Sequence, residues 1–496
     1  MSNMKVIRGG RLVDIDTHQA PFKDILIRDD EILEIGAAGL AAPPDAEVFD
    51  ASGHLMHAGL VNGHTHGHGN LAKGMGDRWS LELLLTAGPW ISGGRELEDK
   101  RLTTTIGAVE MLLKGCTAAY DLTFEFPGPT REGMAASASA YADVGMRCVL
   151  APMVADISFF EAIPGLMQEI PPHLQEAVSG LRLAPAEATL AAIRDVVENW
   201  SVDASIVRPA VAPTIPHHCS AGFLTGCRDI AHSHGIGLHS HVAESKVQAV
   251  ASRRLYGKTL LAHMDDMGLV GSDFVVGHGV WLDDEDMMRL AAKGAHVSHN
   301  AGSNALLGSG IAHARRMLEL GVNLAIGTDG ANCSDNQNMY EAMRAALYMS
   351  HVRGPDVDQW LSTSEILRAA TEGGAKALGF EKIGKVAPGY KADIVFLDLG
   401  SVNWIPCNDP VNQIVQTEDG TGVRHVMVGG KIVVRDRMPV NVDLAALARD
   451  AEAARARLEI ANAERKGLFE QLAPVVSSFC PGLAHEPYHI HRYGAH

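Results

Sequence analysis

The sequence predicts an α/β fold: a (β/α)8 barrel of the TIM type with a small β-sandwich domain formed from both chain ends. Two observations support this prediction. In the middle of the chain, apolar strand-like runs alternate with helical stretches, giving about eight units over roughly 320 residues, as a parallel barrel with outer helices requires. Near both ends, apolar and polar residues alternate between turn residues instead, which is typical of hairpin-linked strands.

Three stretches near the ends are rich in predicted strands. They are 6–35, 384–398 and 423–434. A long segment with a different pattern of apolar and polar residues separates the first stretch from the other two. Because the same pattern occurs on both sides of it, we expect all three stretches to meet in one small β domain. Further on, 444–472 is rich in Ala, Arg and Glu and is predicted to be helical.

The barrel strands are predicted from apolar runs that precede helical stretches such as 285–293 and 339–349. The runs are 118–120, 148–150, 205–207, 237–239, 274–276, 295–297 and 322–326. The predicted domains are therefore 1–58 with 384–440 for the β domain, 59–383 for the barrel, and 441–496 for a helical extension with a His-rich tail. An active site is expected at the carboxyl ends of the barrel strands.

Composition and charge exclude several classes of protein. The chain has 496 residues, 46% hydrophobic and 20% charged, which excludes collagen-like and disordered classes. Its 42 basic and 59 acidic residues give a formal charge of −17, so no nucleic-acid partner is expected. No apolar run approaches the roughly 20 residues of a membrane helix, and the first residues lack the apolar region of a signal peptide. The seven cysteines form no CxxC pair, which indicates reduced thiols and a cytoplasmic location.

Histidine carries the strongest chemical signal. His64 and His66 follow the apolar run 59–62, where a strand is expected to end. Side chains at i and i+2 of a strand point to the same side. Since neutral imidazole is a versatile ligand for zinc or iron, this pair is a candidate metal site.

Four further polar features follow predicted strands in chain order. They are His241 with Glu244, His278 between two glycines, His299 in the segment 296–300, and Asp329 in a Gly-Thr-Asp-Gly segment. A buried polar side chain is costly unless it is paired or bound to a metal. Any one of these residues could be an ordinary core residue, whereas five such features in register favour one shared site.

These residues resemble the amidohydrolase superfamily. Within it they are most similar to the chlorohydrolase/aminohydrolase branch, which includes guanine, cytosine, 8-oxoguanine and pterin deaminases and the triazine aminohydrolases. The resemblance extends over nearly the whole chain, including the split β domain and the segment 384–398.

The resemblance implies one divalent metal ion, zinc or else iron, held by His64, His66, His241 and Asp329. Three nitrogens and a carboxylate leave room for a water molecule, whose pKa the metal lowers toward ~7. Asp329 and His278 would orient this nucleophile, with Asp329 accepting its proton. Glu244 would protonate the ring nitrogen beside the attacked carbon. The run 148–153 has no lysine that could bridge a second metal ion as a carbamate.

Several positions that contact substrate in the resembling enzymes differ in this chain. Gly69 stands where many purine and triazine enzymes have Gln, and Lys73 where Arg is usual. Thr214 ends an Ala-Pro-Thr segment in place of the Ala-Pro-His of adenosine-type deaminases, which argues against an adenosine or S-adenosylhomocysteine substrate. His299 and Asn304 keep part of a His-Cys-Pro-x-Ser-Asn pattern. We expect Lys73, Thr214, His299 and Asn304 to contact substrate; alternatively, the last two only stabilise their loop.

Two other histidines have open roles. By strand period His239 faces the same side as His241, so it either fills the barrel interior or supports a metal ligand. His68 either contacts the substrate or lies in a solvated loop. The His-rich segment 485–496 resembles a metal-binding tract by composition, and no ligand is predicted there.

The predicted function is that of a metal-dependent aminohydrolase. It would hydrolyse an exocyclic C–N bond of an aromatic N-heterocycle, of the pterin, oxopurine, pyrimidine or triazine type, and release ammonia or an amine. An alternative is a ring-amide hydrolase of the hydantoin or imidazolone type with the same mononuclear metal site. A non-enzymatic barrel would be expected to have lost part of the ligand set, which is complete here. By resemblance alone we also expect a homodimer or larger homo-oligomer, with no membrane partner.

Overall fold

The structure is a computed structural model that describes residues 4–334 and 336–494. The ends of the predicted domains at 1–3 and 495–496 therefore lie outside the described residues. The strands of the described part are β1 (Met4–Leu12), β2 (Phe22–Arg28), β3 (Glu31–Gly36), β4 (Glu47–Asp50), β5 (His54–Ala58), β6 (Leu60–Thr65), β7 (Cys116–Phe124), β8 (Arg147–Val154), β9 (Val207–Pro209), β10 (Ala212–Pro213), β11 (Leu238–Val242), β12 (Phe274–His278), β13 (His296–His299), β14 (Asn323–Ile326), β15 (Ile394–Asp398), β16 (Val423–Val428), β17 (Lys431–Arg435) and β18 (Met438–Pro439).

Helices follow most of the inner strands. They are α1 (Leu81–Ile91), α2 (Leu97–Leu113), α3 (Arg131–Val144), α4 (Phe159–Ala162), α5 (Leu166–Glu169), α6 (Pro172–Ser179), α7 (Ala186–Glu198), α8 (Ala221–His234), α9 (Lys246–Tyr256), α10 (Leu260–Asp266), α11 (Asp284–Lys293), α12 (Ala301–Leu306), α13 (Ala314–Glu319), α14 (Met339–His351), α15 (Thr363–Arg368), α16 (Gly374–Leu378), α17 (Pro410–Gln416), α18 (Leu444–Ala461) and α19 (Ala463–Ala484). Short 3-10 helices cover Gly67–Ala72, Pro216–His218, Val357–Gln359 and Val402–Trp404, and a π-helical turn covers Ala369–Gly373.

One sheet contains strands from both ends of the described chain. Its order is β18-β17-β16-β15-β5-β1-β2-β3, with β4 paired to β1. The strand pair that joins the two parts of this sheet is the antiparallel pair β15–β5, in which Ile394 faces Ala58. Buried isoleucines and Phe396 form a core under this sheet. Since β6 follows β5 after one residue, this sheet fixes where the next set of strands begins.

The strands β6–β14 form a parallel barrel. Two sheets, ordered β10-β8-β7-β6 and β11-β12-β13-β14, are joined by a parallel bridge between Val211 and Leu238, and β9 pairs with β8. On the other side, the backbone N–H of Asp329, which follows β14, donates to the carbonyl of His64 in β6 at 2.9 Å. The ring is thereby closed, and the barrel predicted from the alternating pattern is confirmed.

Local signals explain where the helices begin and end. The helix α11 starts after Asp283, whose side chain accepts the N–H of Asp286 while Asp286 bonds back to the cap. It stops at Gly294, whose φ of +70° suits glycine. The predicted helix over 444–472 is divided in the structure, because α18 ends at Ala461 and α19 begins at Ala463, with Asn462 between them.

The last helix covers the loops above the barrel. Leu472, Val476 and Cys480 of α19 pack with Phe159 and Phe160 of α4, and these residues are buried. Phe469 lies against Trp79 and Trp90, with ring centroids 5.3 and 5.4 Å apart. Helix α1 is therefore held over the carboxyl ends of the strands. Among the described residues, none of the helices has the combined length and apolar character needed to cross a bilayer.

Candidate metal centre

The histidines and the aspartate singled out in the sequence meet at one end of the barrel. Nε2 of His66 lies 3.2 Å from Nε2 of His241 and 3.2 Å from Oδ1 of Asp329. Nε2 of His64 lies 3.5 Å from the same carboxylate oxygen. The ligand atoms of His64, His66 and His241 all lie within 4.8 Å of one another, and so do those of His64, His278 and Asp329. Parallel strands produce this convergence because their carboxyl ends share one rim.

The hydrogen bonds of the rear nitrogens show how the imidazoles are oriented. Nδ1 of His66 donates to the carbonyl of Leu122 and Nδ1 of His241 to that of Thr214, both at 2.7 Å. A carbonyl oxygen only accepts, so in each neutral imidazole the proton is on Nδ1 and Nε2 keeps its lone pair. Burial lowers the pKa of His241 well below its usual value, which favours its neutral form. Burial also acts to lower the pKa of His66, but the hydrogen bond and the charge of Asp329 outweigh it and raise this pKa, so positive charge is favoured beside Asp329.

The donor set fits a divalent cation. Lone pairs from His66 and His241 point at each other beside the buried carboxylate of Asp329, and Nε2 of His64 is buried with no hydrogen-bond partner. Such a group of lone pairs is repulsive unless a cation lies between them. Nitrogen and oxygen donors of this kind suit zinc or iron.

His239 lies directly behind a candidate ligand. Its Nε2 is 3.0 Å from Nδ1 of His64, and its ring stands edge-on to Tyr120 at 4.6 Å. Both histidines are completely buried. The sequence left two roles open for His239. This contact is consistent with support of the candidate ligand His64, and the ring of His239 also fills the barrel interior.

Glu244 presents a free carboxyl oxygen to the same site. Its backbone N–H donates to Oε1 of Gln248 at 3.0 Å, and its Oε2 is buried with no hydrogen-bond partner. Burial raises the pKa of Glu244 well above its usual range, and the neighbouring charges of Asp329 and Glu82 raise it further. The carboxyl group is therefore favoured in its protonated form, in which it can donate a proton.

His278 is held by a residue that the sequence suggested for another role. Nδ1 of His278 lies 2.9 Å from Oδ1 of Asn304, and its Nε2 lies 3.6 Å from Asp329 and 3.7 Å from Glu244. Burial lowers the pKa of His278. Asn304 thus orients His278 from behind.

A cavity of about 210 Å³ opens above these groups. Its floor contains His66, His241, Glu244, His278 and Asp329. Most of its wall is apolar and comes from α1, α4 and the loops after β7 and β8: Leu81, Leu84, Leu85, Phe124, Phe126, Ile157, Phe159 and Phe160. Its polar wall includes His68, Ser158, Thr214, His218 and Asn332. The cavity can therefore hold a flat, mostly apolar ring with a few directed hydrogen bonds.

The four residues predicted to contact substrate lie in different surroundings in the structure. Thr214 lines the cavity. Asn304 contacts His278, and His299 is buried outside the cavity wall with its Nδ1 unpartnered. Lys73 lies away from the cavity and forms an ion pair with Glu110. The position of Lys73 in the sequence does not indicate this pairing, because Glu110 is on α2, the second α-helix after Lys73.

His218 and Asn332 are polar residues of the cavity wall to which the sequence gave no role. His218 is buried, lines the cavity and has no side-chain hydrogen bond within the described part of the chain. Asn332 turns its Oδ1 toward Gly69, where a Cβ atom would lie only 2.3 Å from that oxygen. The missing side chain at Gly69 thus leaves space that Asn332 occupies. Nothing in the local sequence of either residue signals this arrangement.

The chain matches the model of the amidohydrolase family over residues 55–433. A 5-methylthioadenosine/S-adenosylhomocysteine deaminase of Syntrophobacter fumaroxidans is 31% identical over 427 residues, which cover 84% of this chain and 90% of the relative. A 5′-deoxyadenosine deaminase of Methanopyrus kandleri is 32% identical over 392 residues, or 78% of this chain and 83% of the relative.

A solved structure shares the architecture. The adenosine deaminase of Xanthomonas campestris with bound zinc superposes with a TM-score of 0.80 at 26% identity, covering 92% of this chain and 98% of that protein. The family match and the strand-end cluster of His64, His66, His241 and Asp329 agree. The chain therefore belongs to the amidohydrolase family, in its chlorohydrolase/aminohydrolase branch, and is a hydrolase of carbon–nitrogen bonds.

Proposed function

We propose that this protein is a zinc-dependent deaminase that removes the exocyclic amino group of an adenine-type ring as ammonia. The observation that carries the deaminase chemistry is Glu244: a buried carboxyl group with a raised pKa and an unpartnered oxygen beside the histidine–aspartate cluster. The choice of ring is supported by the deaminases of adenine nucleosides among the relatives. It replaces the pterin, oxopurine, pyrimidine and triazine rings expected from the sequence.

The threonine at position 214 is compatible with this choice. The sequence argued against an adenosine-type substrate because Thr214 stands where the resembling enzymes have histidine. His218, four residues later in the 3-10 helix Pro216–His218, presents an imidazole to the same cavity as Thr214. Burial lowers the pKa of His218 to about 4, so this imidazole is neutral and offers both a donor and an acceptor to a ring.

His64, His66, His241 and Asp329 would hold the metal ion, which when bound activates water as a nucleophile at neutral pH. Asp329 accepts a proton from the attacking water through Oδ2, the oxygen that faces His278. Glu244 donates its proton to the ring nitrogen beside the attacked carbon, so that no full negative charge develops on the ring. Asp329 then passes the proton that it took from water to the amino group, which leaves as ammonia as the C–N bond breaks. Glu244 takes back a proton from the new hydroxyl group, so the carbon ends as a carbonyl and both carboxyl groups return to their starting state.

The test is ammonia release by protein of known metal content. The panel contains 5′-deoxyadenosine and 5′-methylthioadenosine, with aminated pterins, guanine, cytosine, triazines and a hydantoin as comparators. We expect ammonia and the corresponding 6-oxopurine from the adenine nucleosides. Ring opening to a carboxylate, seen by mass spectrometry, would favour the ring-amide alternative. Full turnover after removal of the metal, or turnover only on the comparator rings, contradicts the proposal.

We also propose the domain division 1–58 with 384–440, 59–383, and 441–496. It is supported by the sheet shared between the chain ends and by the start of β6 at Leu60. The homo-oligomeric state and the cytoplasmic location stay predictions from the sequence.

A further inference from the structure

A second chamber of about 270 Å³ adjoins the cavity over the candidate metal centre. The two share part of their walls: His68, Pro89, Ser92, Phe124 and Phe126 line both. A ligand seated over the metal centre can therefore extend into the second chamber. The chamber differs from the cavity in its charged lining.

Arg95 brings a guanidinium group to this chamber with no carboxylate in direct contact among the described residues. Its two terminal nitrogens donate to the backbone carbonyls of His68 and Ile91, and its Nε is buried with no hydrogen-bond partner. Within the described residues Arg95 forms no salt bridge, and the carboxylate whose charge acts on it, Asp99, is itself paired with Arg457. Burial lowers the pKa of Arg95 to about 10, which leaves it charged at neutral pH. A desolvated cation of this kind is costly unless an anion joins it.

A second arginine reaches the chamber from the C-terminal helix. Arg465 donates to Oδ1 of Asn462 at 2.7 Å and packs its stem against Gly93, and the described residues provide no carboxylate partner. The remaining cation, Lys100, is neutralised by Glu125 at 2.6 Å. Two guanidinium groups that form no salt bridge with a described residue thus face one chamber in a chain whose formal charge is −17.

We propose that this chamber binds an anionic arm, a carboxylate or a phosphate, on the substrate whose ring lies over the metal centre. Guanidinium groups suit both anions, because each can receive two parallel N–H bonds. Arg95 is the main contact, and Arg465 closes the chamber from the solvent side. The inference rests on the proposed function, which places the ring of the substrate over the metal centre. It adds that the substituent on this ring is anionic.

The test compares ligands that share a ring and differ in the arm. In the Glu244→Gln background, where turnover is suppressed, calorimetry measures binding of neutral 5′-deoxyadenosine, of adenosine 5′-monophosphate and of S-adenosylhomocysteine. Pterin and its 6-carboxylate form a second series with another ring. We expect at least one anionic member to bind 10-fold or more tightly than its neutral partner. The ligand whose affinity rises identifies the preferred arm: adenosine 5′-monophosphate carries a phosphate, whereas S-adenosylhomocysteine and pterin 6-carboxylate carry a carboxylate.

Arginine variants in the same background test where the preference arises. Arg95→Met should abolish the preference and leave the affinity for the neutral member unchanged. Arg465→Met should reduce it about threefold, since this side chain is exposed and screened by salt. Because Arg465 is on the surface, this variant is expected to fold even if Arg95→Met does not. Arg101→Met removes an exposed charge from α2, the helix that begins two residues after Arg95, at a position outside the chamber, and should change nothing.

Equal binding of neutral and anionic members in both series overturns the inference, and so does a preference that survives both substitutions. Failure of the proposed function is a separate result. It would appear as absent ammonia release in the wild-type protein, whatever the binding data show.

Discussion

Glu244 is placed by two features of its immediate neighbourhood. Gln248, one helical turn later, accepts its backbone N–H, and Ser245 donates to Glu82 at 2.9 Å. The backbone is thus fixed on both sides, while Oε2 of Glu244 is left without a protein partner. A buried carboxyl group without a hydrogen-bond partner lowers the stability of the fold. A role in proton transfer gives a physical reason why such a group is present at this position.

We expect Glu244→Gln to lower turnover by 10²- to 10⁴-fold, because the amide cannot transfer a proton. The metal content and the thermal unfolding midpoint should stay close to those of the wild type, since the amide has the same shape. Steady-state ammonia release and metal analysis measure both effects. Glu132→Gln, at an exposed position on α3, is the matched control. Unchanged turnover in Glu244→Gln would refute the assignment.

His239 is expected to act on metal affinity through His64. Replacing it with Ala removes the contact to Nδ1 of His64 and should weaken zinc binding by 10- to 100-fold. Competition with a chromophoric chelator measures this without turnover. Tyr120→Phe serves as the control: the Tyr120 hydroxyl is buried without a partner and touches no ligand, so zinc affinity should not change. Equal zinc affinity in His239→Ala would leave His239 with a packing role only.

At the scale of the element, the backbone adopts a left-handed conformation at the strand ends that carry the functional groups. Ala243, His278 and Asp329 have φ values of +53°, +70° and +64°, a region that side chains with a Cβ rarely adopt. Each follows or ends a barrel strand, namely β11, β12 or β14. Such strain costs about 1–2 kcal/mol per residue and tends to collect at functional sites. It aims the side chains of the cluster inward.

This strain predicts opposite effects for two similar substitutions. Ala243→Gly loses a buried methyl group but relieves the left-handed backbone, so it should change the free energy of unfolding by less than about 0.5 kcal/mol. Ala249→Gly removes an equally buried methyl group from α9, where glycine is unfavourable, and should cost about 1–2 kcal/mol. Urea unfolding of both variants measures the difference. A larger loss in Ala243→Gly than in Ala249→Gly would contradict the account of strain.

At the scale of the whole molecule, the end of the described chain is tied to the barrel rim. Arg492 is 8% exposed, and its guanidinium donates to the carbonyls of Val280 and Leu282 at 3.0 and 2.7 Å. Its own carbonyl accepts the N–H of Ile311 at 2.7 Å. Because the loop 279–283 continues from His278, the tail holds a segment adjoining the candidate active site.

Arg492→Met should therefore destabilise the fold by about 2–4 kcal/mol, since it leaves two backbone carbonyls without their charged donor. Turnover of the folded protein should fall as well, because the loop after His278 loses its support. His489→Gln is the matched control in the same tail. Its side chain is 41% exposed and pairs with Asp283, so the loss should stay below about 1 kcal/mol. Thermal unfolding and steady-state rates separate the two variants.

Much of the barrel and of the candidate metal centre could be predicted from local patterns. The period-2 spacing of His64 and His66, and the recurrence of polar residues after strand-like runs, depend on residues close in sequence. The roles of Lys73 and Asn304 could not be predicted, because their partners Glu110 and His278 are 37 and 26 residues away. Sequence position also could not show that His218 shares a cavity wall with Thr214.

The sequence by itself determined the order of strands and helices and the types of chemical group available at the strand ends. The spacing of apolar residues and the chemistry of the side chains are local properties, which do not depend on how distant parts of the chain pack. Only the tertiary structure decided which groups meet. Arg95, in the loop after α1, and Arg465, on α19, face one chamber, and the closure of β6 against β14 brings His64 to Asp329. Such contacts depend on how whole elements pack, which no local pattern contains.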